Sequence, residues 1–388
     1  MWTKVLSSRQ IYRLLVWSAL GLGLVFLVLR SQILFESFVV PQGDFIEYWS
    51  AARLNFSGGN PYSPKALLAA QQAAGATANE PLIMYNPPWM LMLAAPFALL
   101  PYPWARTAWL LVQFVLLVGC GTWGWLYWQG SRRKIWLAWL VVFTFWPTFS
   151  MLATGQLGVF MLVGVLGFAY AVRYQSWWGA GVALAFMTLK PQLLYLFWLA
   201  LLFWLWETRH WNVLIACVLT LAGLTLGPYL ANPVIFQQYL ACIRDYPPIA
   251  WATPTLGTLL RIWLGPERFW LQFLPMGLGS VGLVWYCWWR RSGKWHWQQA
   301  LPWILCLTFV TSPYGWAHDQ VILLMVILQA VAHLWSQPLI SAKVFGILGY
   351  VSIVSLAWAV DVIARQGGVW YVWLAPAIFA WWYAALKP

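Results

Sequence analysis

Long apolar runs, separated by short polar or Pro/Gly-rich breaks, make up most of this chain. A helix needs about 20 apolar residues to cross the hydrocarbon core of a membrane. Runs of roughly this length, with shorter ones bounded by charges, predict about twelve membrane spans. The predicted spans are 14–35, 103–129, 135–151, 157–173, 177–190, 192–206, 210–228, 269–289, 296–312, 319–336, 342–363 and 369–386.

Two longer polar segments interrupt this pattern and are predicted to form loops. The first polar segment covers residues 36–86 and the second polar segment covers residues 229–268. In the first, helical spacing runs from Asp44 to Asn55 and ends at a pair of glycines, which suit a helix C-terminus. Ser63 then caps a second short helix with proline at its first position. The first loop should therefore carry two short helices.

Clusters of Lys and Arg set the predicted orientation, because short basic loops stay in the cytoplasm. The clusters at Arg132–Lys134 and 290–294 fall on one side if both termini are cytoplasmic. This orientation requires residues 85–100 to lie along the outer surface instead of crossing the membrane. That stretch is short for a span and is bracketed by prolines. Both polar segments would then be extracytoplasmic, on what we expect to be a bacterial plasma membrane.

The composition supports the same class of protein. Hydrophobic residues make up 62% of the chain and charged residues only 8%, which excludes a soluble domain. The net charge of +13 lies in small clusters between apolar runs, so it indicates topology and lipid headgroups, and no nucleic-acid partner. We predict an all-α polytopic membrane protein with one domain over 1–388. Residues 1–206 would form a catalytic module and residues 207–388 the C-terminal helices.

Unusual polar chemistry collects on the predicted outer side. Acids avoid the centres of the spans, which argues against an ion-coupled transporter. The sequence shows no Asp-x-Asp pair, glycine-rich phosphate loop or metal-ligand spacing, so we predict neither a nucleotide-sugar donor, nor a metal, nor another cofactor. The outer set is Asp44, Glu47, Tyr48, Arg53, Tyr85, Asn86, Gln156, Lys190, Arg244, Arg261, His318 and Asp319.

Seven short motifs occur in a fixed order that is more specific than any one of them. They are Gly43-Asp44-Phe45…Tyr48, Asn60-Pro61-Tyr62, Tyr85-Asn86-Pro87-Pro88, Leu100-Pro101, Gly155-Gln156, Leu189-Lys190-Pro191 and Ser312-Pro313-Tyr314-Gly315-Trp316-Ala317-His318. Over residues 40–320 this set resembles the polyprenol-phosphate-mannose-dependent mannosyltransferases of glycosyltransferase family 87.

The resemblance implies a GT-C membrane fold and transfer of a sugar, mannose, from a polyprenyl-phosphate carrier to a glycolipid or glycan acceptor. An acidic base in the first external loop maps onto Asp44, and a functional histidine maps onto His318. Many relatives carry a second histidine where this chain has Asp319. Here Asn86 also follows Tyr85, where Tyr-Pro-Pro is common. The role of the second histidine is therefore absent or altered in this chain, and Asn86 is an insertion.

General chemistry supplies roles for the other residues. Inverting sugar transfer needs a base for the acceptor hydroxyl and electrophilic help for the leaving group. Lys190, His318 and Arg261 would stabilise the departing phosphate. The remaining residues predicted to bind donor or acceptor are Tyr48, Tyr85, Asn86, Gln156 and Asp319.

Each assignment has a structural alternative. Asp44, or the pair His318-Asp319, would serve only to cap a helix. Lys190 would only extend its ammonium to the membrane interface. Glu47 would orient the acceptor, but we expect it instead to be a solvated neighbour or partner of Arg53. For the whole chain, the alternatives to an enzyme are a flippase or transporter for lipid-linked sugars and a non-enzymatic assembly subunit.

Overall fold

The computed structural model describes residues 43–290, 295–364 and 368–387, and every regular element in these ranges is helical. The predicted span 14–35 lies outside the described residues. Short 3-10 helices occur at Arg132–Lys134, Pro191–Leu194, Phe269–Gln272, Ala317–Leu323 and Gly368–Tyr371. The α-helices are Phe45–Phe56, Pro64–Ala73, Met90–Ala98, Tyr102–Tyr127, Ile135–Thr144, Trp146–Thr154, Gly158–Arg173, Trp177–Met187, Tyr195–Thr208, Trp211–Ala231, Ile235–Asp245, Leu256–Leu264, Leu274–Trp289, Trp297–Thr311, Leu324–Ser336, Ile340–Ala364 and Leu374–Leu386.

The helices follow the predicted apolar runs closely, but fewer of them are long enough to be spans. Within the described ranges, five helices have the length and composition to cross a membrane, and a sixth is possible if one bent pair is counted. Several long apolar helices make this an integral membrane protein. The number of about twelve spans stays a prediction. The five are Tyr102–Tyr127, Trp211–Ala231, Ala317–Ser336, Ile340–Ala364 and Gly368–Leu386.

Prolines account for one break within a predicted run and for the break between two others. The run 135–151 bends by 61° where one helix ends at Thr144 and the next begins at Trp146. Pro147 stands in the first turn of that second helix, where its missing N–H does no harm. Pro191 likewise opens a 3-10 helix, and Lys190 before it has φ −139° and ψ 76°, outside the helical region that a following proline disfavours. The second break places Lys190 at the start of a short helix instead of inside a continuous span.

Residues 85–100 contain one short helix, Met90–Ala98, which has nine residues. At about 1.5 Å per residue this helix is far too short to cross the hydrocarbon core. Met90, Leu91 and Ala94 are fully buried, and the helix packs against Phe45–Phe56. The stretch therefore contains one helix of nine residues, and its placement along the outer surface stays a prediction.

The first polar segment contains the two predicted short helices. Most residues of Phe45–Phe56 are buried, and Phe45 at its start stacks on Trp109 with ring centroids 4.9 Å apart. Ser63 accepts a hydrogen bond from the backbone N–H of Ala66 and so caps Pro64–Ala73. The first of these helices is therefore anchored in the core, and residues at its N-terminus have fixed positions.

The 3-10 helix Ala317–Leu323 completes the arrangement, because it packs against both Trp146–Thr154 and Gly158–Arg173. All seven of its residues are buried. The close contact depends on Gly158, where a Cβ atom would lie 2.5 Å from Val321 and 3.4 Å from the carbonyl oxygen of His318. This packing brings the chain near residue 318 against the turn near residue 156.

Candidate active site

Seven polar side chains from separate parts of the chain meet at turns and helix ends. Hydrogen bonds, an ion pair and close charge interactions connect them. Every member belongs to a turn, a break or the first turns of a short helix. We call this set the polar cluster; its members are Asp44, Glu47, Tyr48, Gln156, Lys190, His318 and Asp319.

Asp44 faces the polar cluster and does not cap its own helix. It occupies the N-cap position of Phe45–Phe56, yet its side chain makes no capping hydrogen bond. Its carboxylate accepts a hydrogen bond from the side-chain amide of Gln156 instead. The side chain is half-buried. The capping alternative therefore does not explain where the Asp44 carboxylate lies.

The turn that carries Gln156 is fixed from behind by the helix Tyr102–Tyr127. Trp109 Nε1 donates to the carbonyl of Gly155 at 2.8 Å, and Gln113 Nε2 donates to the backbone carbonyl of Gln156 at 2.6 Å. Gly155 has a φ of +75°, in the left-handed region that favours glycine. These contacts hold the backbone and direct the Gln156 side chain toward the cluster.

The Gln156 side chain links the two ends of the cluster. Tyr48 Oη and Lys190 Nζ both donate to Gln156 Oε1, at 2.9 and 2.7 Å. Two donors on this oxygen place the amide nitrogen toward Asp44, to which it donates. A rotation of the amide would lose all three hydrogen bonds. Gln156 is therefore a bridge between the carboxylate of Asp44 and the ammonium of Lys190.

Lys190 forms a buried ion pair with Asp319. Lys190 Nζ lies 2.8 Å from Asp319 Oδ1, and the two side chains are 11% and 1% exposed. Asp319 Oδ2 also accepts the backbone N–H of Trp316 at 2.9 Å, so it caps the 3-10 helix as well. Such burial does not fit a lysine that only reaches the membrane interface. An ammonium has three N–H donors, and within the described residues two are used.

His318 is the member of the cluster that has a ring nitrogen without a described hydrogen-bond partner. It is 8% exposed, and its Nε2 lies 3.9 Å from Asp319 Oδ1, beyond hydrogen-bond distance. Among the described residues Nε2 has no hydrogen-bond partner. The imidazole stacks parallel to the Trp316 indole, with centroids 6.3 Å apart. Since buried polar atoms are normally paired, the unpaired Nε2 distinguishes His318 from the other members of the cluster.

Glu47 is buried, so the expectation of a solvated partner for Arg53 is wrong. Glu47 is 9% exposed and accepts a hydrogen bond from the backbone N–H of Tyr85, whereas Arg53 is exposed and lies over the Trp49 ring. Burial raises the pKa of Glu47 well above its ordinary value, and the Asp44 carboxylate adds to this effect. Lys190 offsets it only in part. The helix spacing placed Glu47 on the face of Asp44, and that face packs inward.

Tyr48 and Tyr85 are neutral hydrogen-bond donors beside the cluster. Burial, followed by the charge of Glu47, raises the pKa of the Tyr48 phenol well above its ordinary value. Burial also raises the pKa of Tyr85 to about 12. Tyr85 Oη donates to the backbone carbonyl of Tyr246 at 2.8 Å, which joins the first polar segment to the second.

Asn86 positions the backbone next to Lys190. Its Nδ2 donates to the carbonyl of Leu189 at 2.9 Å, and its own carbonyl accepts from Tyr62 Oη at 3.0 Å. The side chain is 7% exposed. The extra residue between Tyr85 and the two prolines therefore forms a tie between the first polar segment and the break that carries Lys190.

Arg261 lies outside the polar cluster. Its guanidinium donates to Gln272 Oε1 at 3.1 Å and to the carbonyl of Ile249 at 2.9 Å, and it lies over the Phe269 ring. Arg244 is exposed and pairs with its neighbour Asp245 at 2.7 Å. The structure thus brings together every predicted site residue except Arg261, with Tyr85 and Asn86 at the edge of the cluster.

The sequence reasoning missed Arg106, which lies behind the cluster. This arginine is fully buried near the start of Tyr102–Tyr127. Its Nη2 donates to the carbonyls of Leu152 and Ala153 at 3.0 and 2.7 Å, and its charge interacts with that of Asp44. A lone cation inside an apolar run was the available signal. It would have indicated a residue buried in protein and not one facing lipid.

Across residues 43–290, 295–364 and 368–387, no three His, Cys, Asp or Glu side chains are grouped so that they could hold a metal ion. The five cysteines lie in these ranges and are buried free thiols. Independence of metals stays a prediction.

The fold and the cluster define a class. It is an integral membrane protein in which a carboxylate, a lysine ammonium and a histidine with an unpaired ring nitrogen lie together at turns and helix ends. A comparison with protein families shows to which family the chain belongs. The model of glycosyltransferase family 87 matches residues 85–313, more than half of the chain. The chain therefore belongs to glycosyltransferase family 87 and is a glycosyltransferase, which confirms the predicted resemblance.

The matched region includes Gln156 and Lys190 but ends before His318 and begins after Asp44. Comparisons with curated proteins and with solved structures found no match. The roles of Asp44, His318 and Asp319 therefore have to be argued from the structure of this chain.

Proposed function

We propose that this chain is an inverting glycosyltransferase that takes a sugar, mannose, from a polyprenyl-phosphate carrier. The acceptor is a glycolipid or glycan. The reaction occurs at the extracytoplasmic face of a bacterial plasma membrane, with both termini in the cytoplasm. A GT-C architecture with about twelve spans belongs to the same proposal.

One observation carries the proposal: Asp44 is released from helix capping and is joined through Gln156 to Lys190, beside a histidine with an unpaired nitrogen. Sugar transfer from a lipid phosphate needs a base and, close to it, groups that stabilise a leaving phosphate. The polar cluster contains both kinds of group. The proposal uses the half-buried carboxylate of Asp44 as the base and the unpaired nitrogen of His318 as a phosphate ligand.

In the proposed reaction, Asp44 acts as the general base. The acceptor hydroxyl transfers its proton to the Asp44 carboxylate while its oxygen attacks the anomeric carbon. The bond between that carbon and the phosphate oxygen breaks, and polyprenyl phosphate leaves with the electron pair. Because the acceptor attacks opposite the leaving group, the configuration at the anomeric carbon inverts.

Lys190 and His318 would bind the phosphate. Lys190 has one N–H donor beyond its two described hydrogen bonds, and His318 has Nε2. Asp319 holds the ammonium in place from the opposite side. This gives Asp319 a positioning role at the site where many relatives carry a second histidine. No metal or other cofactor takes part in this scheme.

The apolar exterior fits a lipid-linked donor. Leu230, Val281 and Ile363 are 70%, 68% and 82% exposed on apolar helices. Side chains of this kind contact membrane lipids without cost. The polyprenyl chain would lie in the same lipid phase and reach the cluster from the side.

The test is transfer by the purified protein. We would incubate the chain with labelled polyprenyl-phosphate mannose and a panel of mannosides and glycolipids in the presence of a metal chelator. We expect a labelled product whose new bond has the inverted anomeric configuration. The absence of product, with movement of the carrier across liposomes, would favour a flippase. The absence of both would favour an assembly subunit.

A further inference from the structure

Trp251 joins the two polar segments through its ring contacts. It lies between the helices Ile235–Asp245 and Leu256–Leu264 and is partly exposed. Its indole lies 5.0 Å from the Tyr85 ring, 5.9 Å from Tyr314 and 5.8 Å from Trp316, measured between centroids. These four rings come from three separate parts of the chain. We call them the aromatic wall: Tyr85, Trp251, Tyr314 and Trp316.

The aromatic wall touches the polar cluster at two places. The Trp316 ring stacks on the imidazole of His318, and the Trp316 backbone N–H is bound by Asp319. At the other end, the backbone N–H of Tyr85 binds Glu47. Trp251 therefore connects the side of the cluster that carries His318 to the side that carries Glu47 and Asp44. A ligand lying on Trp251 would be next to both.

Polar atoms without partners lie beside the same wall. Among the described residues, Tyr314 Oη and Arg261 Nε are buried and have no hydrogen-bond partner, as is also true of His318 Nε2. Arg261 Nη1 donates to Gln272 Oε1, and the Gln272 amide donates to the carbonyl of Pro313, the residue before Tyr314. Gln272 therefore joins Arg261 to the chain that carries Tyr314. Aromatic faces with a few unpaired polar groups are typical of sites for small polar ligands.

Given the proposed function, we propose that the aromatic wall is the acceptor-sugar subsite. The apolar face of an acceptor pyranose packs on Trp251, and its hydroxyls bind Tyr314 Oη and Arg261 Nε. The donor sugar has to remain beside its phosphate at Lys190 and His318. From His318 the aromatic wall extends through Trp316 to Trp251, and so it reaches beyond the position of the donor sugar. It is therefore placed for the glycan that approaches Asp44.

The experiment measures KM separately for donor and acceptor. The probes are labelled farnesyl-phosphate mannose and octyl mannoside. The variants are Trp251→Ala, Trp251→Leu, Trp251→Phe and, as matched control, Trp263→Ala, whose side chain is 72% exposed in the same segment. We expect Trp251→Ala and Trp251→Leu to raise the acceptor KM roughly tenfold or more. Trp251→Phe should stay near wild type, as should the control and the donor KM in all variants.

The outcomes separate this inference from the proposed function. If wild type transfers mannose but Trp251→Ala leaves the acceptor KM unchanged, or raises only the donor KM, the subsite is wrong while the transferase stands. A normal acceptor KM in Trp251→Leu would show that Trp251 only fills space, and would also overturn the subsite. If wild type transfers nothing, the subsite is tested by the increase in thermal midpoint that octyl mannoside produces. A smaller increase in Trp251→Ala than in wild type supports the subsite. An equal increase in both proteins contradicts it.

Discussion

Gln156 donates a hydrogen bond from its side-chain amide to the carboxylate of Asp44, which lies 112 positions earlier in the chain. The same amide oxygen accepts from Lys190. One neutral side chain thus lies between the carboxylate of Asp44 and the ammonium of Lys190, which is itself paired with Asp319. In the proposed reaction, Asp44 accepts a proton and Lys190 binds the phosphate.

Removing the Gln156 amide should impair catalysis more than binding. In Gln156→Ala the carboxylate of Asp44 loses its hydrogen-bond donor and becomes free to rotate. Misplacing a catalytic group by about 1 Å can cost roughly 10²-fold in rate. We therefore expect kcat to fall by about that factor, with a smaller change in the donor KM. Initial rates in detergent measure both constants.

Gln72→Ala is the control for this change, because Gln72 is exposed and binds only the nearby carbonyl of Ala78 among its described contacts. It should transfer mannose at the wild-type rate. A Gln156→Ala enzyme with unchanged kcat would show that Asp44 needs no support from this amide.

The Lys190–Asp319 pair should show strong coupling in stability. Removing one partner of a buried ion pair costs about 3–5 kcal/mol, because the other charge is left uncompensated. Lys190→Met should therefore be much less stable than Lys190→Met/Asp319→Asn, which removes both charges. Asn at 319 can still accept the backbone N–H of Trp316. Thermal unfolding in one detergent compares these proteins, with exposed Lys65→Met as control. Equal losses in the single and double variants would contradict the pairing.

The positions of the helices could be predicted from the sequence, but the meeting of their ends could not. Apolar runs located most helices, since periodicity and proline breaks are local properties. Asp44 and Glu47 could be placed on one face for the same reason. The contact between Lys190 and Asp319 spans 129 positions and depends on how whole helices pack. No spacing rule contains that information.

Glu47 should make stability depend on pH. Its pKa is raised in the folded protein by burial and by Asp44. As the pH rises above its ordinary pKa of 4.5, Glu47 ionises in the unfolded chain while it stays protonated in the folded one. Its contribution to stability is complete at low pH and is lost as the pH rises toward the folded pKa. Glu47→Gln cannot ionise and escapes this loss.

The measurement is the difference in thermal midpoint between Glu47→Gln and wild type at about pH 5 and about pH 8. We expect Glu47→Gln to gain stability relative to wild type at the higher pH. Glu80→Gln is the control, since Glu80 is exposed. The same difference at both pH values would mean that Glu47 ionises normally.

Alanine substitutions at two glycines distinguish the cost of backbone strain from the cost of disturbed contacts behind the cluster. Gly155 and Gly58 both have left-handed φ values, +75° and +78°. A Cβ at Gly58 would meet nothing within 4 Å, whereas one at Gly155 would lie 2.5 Å from Arg106 Nη1 and 2.7 Å from Phe45 Cβ. Gly58→Ala should cost about 1–2 kcal/mol. Gly155→Ala should cost roughly 3 kcal/mol or more.

Thermal unfolding ranks the two alanine variants, and transfer assays add a second readout. Gly155→Ala should also lower the transfer rate, because the turn carrying Gln156 would move. Gly58→Ala should keep the wild-type rate. Equal effects of the two substitutions would show that Arg106 does not press against this turn.

The burial of Glu47 and Arg106 shows where the sequence reasoning ended. Charged residues near polar segments are usually solvated, so the sequence predicts a solvated Glu47. Arg106 lies inside an apolar run, and the run alone does not show what surrounds its side chain. In both cases the deciding fact is what packs against the side chain, namely Tyr85 for Glu47 and the carbonyls of Leu152 and Ala153 for Arg106.

The rate of mannose transfer by Asp44→Asn tests the central claim most directly. Asparagine can still accept the hydrogen bond from Gln156, so the fold and the cluster should persist, but it cannot take up the acceptor proton. We predict a loss of about 10²–10⁴-fold in kcat, the usual contribution of a general base. Asp245→Asn, at an exposed acid paired with Arg244, should transfer at the wild-type rate. Transfer by Asp44→Asn within a few-fold of wild type would contradict the assignment of Asp44 as the base.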